Sequence, residues 1–324
     1  MGSHLRISGL TKHFPVRRSL GQALRGERPA VRAVDNVSFE LAPRDAVGLL
    51  GESGCGKTTT GRLLLKLDAP TAGTIEVDGA DLATLRGPDL REFRKRAQLV
   101  FQNPFDALNP RLTVRRSLAE PLINAVIPQA EHEARIRRAL DRVHMRGVGD
   151  LLEKYPHQLS GGQLQRVVLA RALILDPGFI VADEPVSMLD VSVRAGILNL
   201  MREIQETYDL TAIYISHDLA LVRYVAQRTL VMYLGALVED GPTQEVVSAP
   251  LHPYTRALIA AVPVPHVDQP RGPLPIKGNI SDARRSYAGC RFAERCPMAV
   301  ARCVAEPPAL RDVAPARRVA CHLI

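Results

Sequence analysis

The chain has 324 residues, enough for one large domain and a smaller one, and its 46% hydrophobic and 23% charged content is that of a globular protein. Its apolar runs fall short of the ~20 residues that cross a bilayer. The opening MGSHLRISGL lacks the long apolar stretch of a signal peptide, so the expected compartment is the cytosol, where structural disulfides are disfavoured. The first four residues read as an appended scar and carry no weight in the fold. The net charge of +8, from 42 Lys+Arg against 34 Asp+Glu, suits a solvated basic surface, nucleic acid, a membrane surface or a phosphate ligand. Aromatics at 4% and the absence of Trp leave few stacking platforms for single-stranded nucleic acid.

In chain order, AVGLL (residues 46–50) predicts a buried strand, GESGCGKT a glycine-rich loop, and residues 57–67 a helix. GTIEVDGADL nearly alternates in polarity around a glycine turn, the pattern of an antiparallel edge. Residues 104–156 lack strand-like runs and place Ile136, Leu140 and Val143 at helical spacing, which predicts a helical insertion. GFIVADEP predicts another buried strand, ending in two acids, and LTAIYISHD a third, followed by helix-forming sequence. Short apolar runs alternating with helical stretches predict an α/β fold with a mostly parallel sheet covered on both faces. From residue 249 the character changes: eleven of the 24 prolines fall between positions 250 and 315. This predicts a loop-rich tail with little regular structure, apart from one helix in HPYTRALIAAV that Pro263 stops.

Gly51 to Thr58 fits the phosphate-loop pattern and stands between a predicted strand and a predicted helix, the context that the motif requires. Gly51, Gly54 and Gly56 let the backbone, with Ser53 and Cys55, wrap closely enough for its N–H groups and the helix N-terminus to face phosphate oxygens. Lys57 is placed for the β- and γ-phosphates, and the Thr58 hydroxyl, next to Thr59, for Mg²⁺. Cys55 reads as a small filler rather than a nucleophile, since no histidine-based triad is suggested beside it. Asp183 and Glu184 end a buried strand, where an acid can hold the Mg²⁺ shell and a following Glu can polarise water. Taken alone, a DE pair there is more ordinarily a solvated strand end. LSGGQLQRVVLARAL adds a second anion site, with Ser160, Gly161, Gly162 and Gln163 at a helix N-terminus.

Two glycine-rich anion sites in one chain are the signature of the ATP-binding cassette (ABC) family, which the sequence resembles. In that family two cassettes dimerise head to tail, and the signature Ser and Gly residues of one clamp the γ-phosphate held by the other. The resemblance implies an ABC-type P-loop NTPase core, a mixed sheet with helices and an antiparallel edge subdomain, over residues 1–103 and 157–249. A helical subdomain at 104–156 and a Cys/Pro-rich extension at 250–324 complete the expected organisation. It also implies roles for Gln102 as the glutamine linking Mg²⁺ and water to the helical subdomain, Asp190 of SMLD as the D-loop acid, His217 as the switch histidine on the γ-phosphate, and Phe14 against adenine. Gln102 and Asp183 join Thr58 as Mg²⁺ ligands, with Glu184 as general base for ATP hydrolysis. Met188, where the family commonly has Ala, and Leu164, where Arg or Lys is frequent, depart from the pattern without removing a catalytic group.

GESGCGKTT, VFQNPFDALNPR, EPVSMLDVSVRAGILNLM, YISHDLALV, VMYLGALVEDG and HPYTRALIAAVP resemble more narrowly the ATPase subunits of bacterial dipeptide and oligopeptide importers. The match is to the second, F-type, of their two ATPases, which has an extra segment before VRAVDNVSF; here residues 17–32 are basic and are expected to form a flexible loop. The implied partners are a sister ATPase in a heterodimer, two transmembrane permease subunits and an extracytoplasmic peptide-binding protein, with no nucleic acid. The implied place is the cytoplasmic face of the inner membrane, as a peripheral subunit. The alternatives are a nickel or other small-solute importer, a soluble cassette ATPase acting on DNA or ribosomes, and a regulatory protein that binds ATP without hydrolysing it. Those nickel-type subunits usually lack a cysteine tail, the soluble ATPases carry two cassettes or a long coiled-coil insertion, and Glu184 and His217 are intact.

Four of the five cysteines, Cys290, Cys296, Cys303 and Cys321, lie in the last 35 residues with the spacing C-x5-C-x6-C-x17-C, unlike paired C-x2-C zinc knuckles. Four thiols in a short tail suit a tetrahedral Zn²⁺ or an iron–sulfur cluster, or are four unconnected buried cysteines. The resemblance implies a 4Fe–4S cluster, with Zn²⁺ the alternative. So far along the chain from Lys57 and Glu184, such a centre is expected to staple a tail poor in regular structure rather than take part in hydrolysis, with redox sensing left open.

Overall fold

The computed structural model describes residues 2–16, 30–145, 147, 149–262, 276–277 and 287–324. Most of the basic segment 17–32 thus lies outside the described residues; Ala30 to Arg32 open a strand. The strands, in chain order, are β1 Leu5–Pro15, β2 Ala30–Leu41, β3 Ala46–Leu50, β4 Ala72–Val77, β5 Ala80–Asp81, β6 Ala97–Val100, β7 Phe179–Asp183, β8 Thr211–Ser216, β9 Arg228–Tyr233, β10 Ala236–Pro242, β11 Arg311–Ala314 and β12 Arg317–Val319. Chain contacts form two compact units, one of residues 1–5, 41–46 and 76–215, the other of residues 6–40, 47–75 and 216–324.

In the first unit β6, β7 and β8 run parallel, with Ala97 opposite Phe179 and Asp183 opposite Ile215. FIVAD and TAIYIS are buried along their whole length, the burial that an unbroken apolar run predicts when both faces are covered. The predicted antiparallel turn is also present, with Glu76 opposite Asp81 and Val77 opposite Ala80. Residues 104–153 hold the helices Pro104–Ala107, Val114–Asn124, Gln129–Arg142 and Gly149–Glu153. Ile136, Leu140 and Val143 are each no more than 2% exposed, so the apolar spacing does face a core. Each such side chain stabilises the fold by about 1.5–3 kcal/mol.

In the second unit β3 and β9 pair in parallel, from Val47 opposite Arg228 to Leu50 opposite Val231. β9 turns into β10 through Leu234 and Gly235, both with positive φ, to make an antiparallel hairpin. Gly235 is required there: a Cβ would stand 2.6 Å from the Arg32 carbonyl oxygen. Strands β2, β1 and β4 form a separate sheet in that order. The tail is more regular than its prolines suggest. Helix Ala301–Ala305 is followed by an antiparallel hairpin of β11 and β12, and β12 adds to β10 with Glu239 opposite Val319. The hairpin hides in RDVAPARRV because Pro and short charged strands mimic a loop. The expected helix is Pro253–Ala260, and the proline that was expected to stop it lies outside the described residues.

His252 caps that helix: its Nδ1 accepts the Tyr254 backbone N–H at 3.0 Å, and its ring bonds to the Ala320 backbone. Burial pushes the imidazole from its ordinary value of 6.5 down to about 3, despite the Ala320 bond that favours the proton. The unfolded chain therefore takes a proton at His252 before the folded chain does. Stability is full above pH 6.5 and falls at about 1.4 kcal/mol per unit as the pH drops towards 3. Thermal unfolding at pH 7 and pH 5 is expected to show a loss of about 2 kcal/mol from this residue. A His252→Asn variant, which keeps a capping acceptor, is expected to show a correspondingly smaller loss.

Candidate functional site

Within the second unit, the loop after β3 leads into helix Lys57–Leu64. Gly56, the N-cap, has φ 107°, and a Cβ there would sit 1.9 Å from the Ala33 carbonyl oxygen, so only glycine fits. The Cys55 carbonyl accepts the Gly235 N–H at 2.9 Å, which ties the loop to the β9–β10 turn. Lys57 is buried and donates from Nζ to the carbonyls of Gly51 at 2.8 Å and Glu52 at 2.9 Å. Ser53, Gly54 and Thr58 are exposed and Thr59 half-buried, an accessible polar rim around that buried cation. Burial pushes the Cys55 thiol up, with Lys57 opposing only in part. Cys55 is therefore a protonated thiol, the filler that its setting predicts. Phe14, in β1, is 38% exposed with the Lys12 ammonium 5.0 Å from its ring centre. His217 is exposed, just beyond β8 and before helix Leu219–Val225, which Asp218 caps through the Ala220 N–H.

Within the first unit, Asp183 closes β7, 9% exposed. Glu184 follows with φ 46°, a left-handed conformation that a non-glycine residue adopts at a penalty of about 1–3 kcal/mol. Its N–H is fixed to the Ile215 carbonyl at 2.8 Å, and its carbonyl accepts from the Ser187 N–H and hydroxyl. Gln102 and Glu184, 82 positions apart, meet: the Gln102 amide donates to the Glu184 carboxylate at 2.9 Å. Ser160 caps helix Gly161–Leu173 in a reciprocal box, its hydroxyl accepting the Gln163 N–H while the Gln163 side chain accepts the Ser160 N–H. Gly162 is packed so that a Cβ would lie 2.8 Å from Val193. Asp190 is the exposed N-cap residue of helix Val191–Thr207, which follows the exposed Met188.

The extension in the second unit reaches the phosphate loop, a contact that sequence reading missed. Tyr254 accepts the Glu52 backbone N–H at 2.8 Å. Both terminal nitrogens of Arg295 bond the Glu52 carboxylate at 3.0–3.2 Å. Burial works against the Arg295 charge, but Glu52 and Tyr233 outweigh it and push the guanidinium further up. Tyr233, Tyr254 and Phe292 form the intervening aromatic cluster, with ring centres 4.6–5.5 Å apart. Burial alone would raise the Asp35 carboxyl; Arg291, at 2.5 Å, together with His13 and Arg32, outweighs it and holds it below its usual range. No signal in the sequence pairs Glu52 with Arg295 beyond their opposite charges.

The four tail cysteines and His252, Phe292 and Pro308 line one cavity of about 10 Å³, and none of the four is in a disulfide. That is about the space of one water. Burial pushes the Cys290 thiol up to about 11 and raises Cys296, with the neighbouring cysteines adding to the rise. Among the described residues no three His, Cys, Asp or Glu side chains are arranged to hold a metal ion. The four thiols converge on one cavity, but ligand geometry for a metal is not formed there.

The sequence profile of the ABC transporter family matches residues 34–187. A putative peptide import ATP-binding protein of Brucella ovis is 44% identical over 98% of this chain and 96% of its own length. The chain belongs to the ABC transporter family. A second profile, the C-terminal region of oligopeptide/dipeptide transporters, matches residues 238–303 of this ABC protein. The di/tripeptide transport ATP-binding protein of Pseudomonas aeruginosa is 41% identical to it over 99% of this chain and 98% of that one. Among solved structures, a dimeric ATP-binding cassette in a post-hydrolysis state with ADP and Pi superposes with a TM-score of 0.63 at 26% identity, covering 74% of this chain and 98% of that one. The cassette fold expected from the motifs is thereby established. No helix among the described residues is long and apolar enough to cross a membrane.

Proposed function

We propose that this ABC ATPase is the ATP-hydrolysing subunit of an importer of dipeptides and oligopeptides. The observation that carries this reading is the C-terminal region, whose match at residues 238–303 is to peptide transporters rather than to cassettes in general. Its partners in this reading are a sister ATPase, two permease subunits that the chain joins as a peripheral subunit on the cytoplasmic side, and an extracytoplasmic peptide-binding protein.

In the proposed cycle Lys57 offsets β- and γ-phosphate charge, and the N–H groups from Ser53 to Thr59 face phosphate oxygens. Phe14 lies against adenine. Glu184 takes a proton from the attacking water, and Gln102, already bonded to its carboxylate, orients it. His217 contacts the γ-phosphate. Ser160, Gly161, Gly162 and Gln163, at the N-terminus of a 13-residue helix, clamp the γ-phosphate bound by the sister cassette, with Asp190 beside that junction. The Thr58 hydroxyl, the Gln102 amide oxygen and the Asp183 carboxylate are hard oxygen donors that fit Mg²⁺, which when bound offsets phosphate charge. Cys290, Cys296, Cys303 and Cys321 are the proposed ligands of a 4Fe–4S cluster, or else of Zn²⁺; either centre would cross-link the tail. Iron, sulfide and zinc analysis of anaerobically purified protein separates the two.

The test is co-expression with candidate permeases and reconstitution into vesicles together with the binding protein. Peptide-loaded binding protein is expected to stimulate ATP turnover and drive uptake of labelled peptide. Uptake of nickel without peptide, or capture of ribosomes and no permease, overturns the reading.

A further inference from the structure

The second residue of the phosphate loop, Glu52, is a carboxylate placed where a polyphosphate is to bind. An unneutralised carboxylate there would repel the ligand. It is held from two directions by the region after β10: by Tyr254 at its N–H, and by Arg295 at its side chain. The Arg295 side chain is 5% exposed and that of Glu52 26%, so the pair is desolvated mainly on the arginine side. The guanidinium carbon lies 5.8 Å from the Tyr233 ring centre and 5.9 Å from that of Phe292, which leaves it little freedom to swing elsewhere. The Glu52 carbonyl, in turn, accepts from Lys57.

On the other side, Arg295 directly precedes Cys296, whose N–H bonds the Phe292 carbonyl at 2.9 Å. Cys296 shares one buried core with Phe292, Tyr233 and Tyr254, and Cys290 packs against it. The place of Arg295 is thus set by the packing of the cysteine region, and the charge on the loop is set by Arg295. All of these residues belong to the second unit.

We infer that Arg295 is a positioning residue that neutralises Glu52 and turns it from the phosphates, so that the packing of the four-cysteine region governs nucleotide affinity. The inference rests on the reading of residues 51–58 as the phosphate site. It makes the tail a regulator of the loop rather than a remote staple.

The experiment measures binding of a fluorescent ATP analogue to the purified full-length chain, beside its melting temperature. Arg295→Gln is expected to weaken binding about tenfold, more at low than at high salt. Adding Glu52→Gln is expected to bring affinity back to within about threefold of the parent, because no unpaired carboxylate remains. Arg295→Lys, which keeps the charge but loses the two-nitrogen fork on Glu52, is expected to fall between the parent and Arg295→Gln. Cys296→Ser is expected to weaken binding in the parent but not in a Glu52→Gln background. Loss of melting temperature without loss of affinity, or a double variant no better than Arg295→Gln alone, overturns the inference. So does an equal effect of Cys296→Ser in both backgrounds. If Arg295→Gln does not fold, the Arg295→Lys and Cys296→Ser comparisons decide. Absence of nucleotide binding by the parent chain counts instead against the phosphate-site reading.

Discussion

Glu184→Gln is expected to lower ATP turnover of the assembled transporter by about 100-fold or more, while ATP binding persists. That size is what removal of a general base, the role proposed for Glu184, would produce. Gln is nearly isosteric and keeps a side-chain oxygen for the Gln102 amide, which bonds the carboxylate at 2.9 Å in the parent. The left-handed backbone at φ 46° is equally tolerable for either residue, so the change isolates basicity from shape. Single-turnover hydrolysis and equilibrium ATP binding measured on the same sample check it. Turnover within tenfold of the parent would remove Glu184 from the role.

Glu239→Ala is expected to destabilise the second unit by about 3–5 kcal/mol, read from the urea midpoint. Glu239 is fully buried, and its carboxylate accepts from the N–H groups of Leu251 and His252 at 2.9 Å each and from Arg317 at 2.6 Å. Arg317 is itself buried and reaches the Ala249 carbonyl and Glu245 besides. Removal of the acid leaves a buried cation and two backbone donors without their acceptor, so the loss exceeds that of an ordinary ion pair. A Glu239→Met, Arg317→Met double variant is expected to lose much less than the two single losses added together. Strict additivity would show that the pair is not coupled.

The strand–loop–helix of the phosphate-loop motif and the helix that follows Ser160 were legible because they rest on local patterns. A tight glycine loop between strand and helix announces itself, and Gly56 proves unable to carry a Cβ. The Ser160–Gln163 box is a spacing of three that any helix start can display, and the structure forms it. The bond between Gln102 and Glu184 was not read from the sequence, since no property of two residues 82 positions apart pairs them. The extension was misjudged. Its hairpin has short strands with charged residues, and its most consequential side chain, Arg295, binds a partner 243 positions away. Nothing in LVEDG marks Glu239 as an internal charge, since only tertiary neighbours decide which acids are buried.

The hairpin has one more consequence. β10 would otherwise present unpaired N–H and C=O groups along the flank opposite β9, a template for the strand of another molecule. β12 covers that flank at Glu239 and Asp240, and the outer position passes to β11, four residues long, with exposed Arg311 and Asp312. A short, charged outermost strand is a poor template. The tail thus closes the flank of β10 and leaves a short, charged strand outermost, besides reaching the phosphate loop.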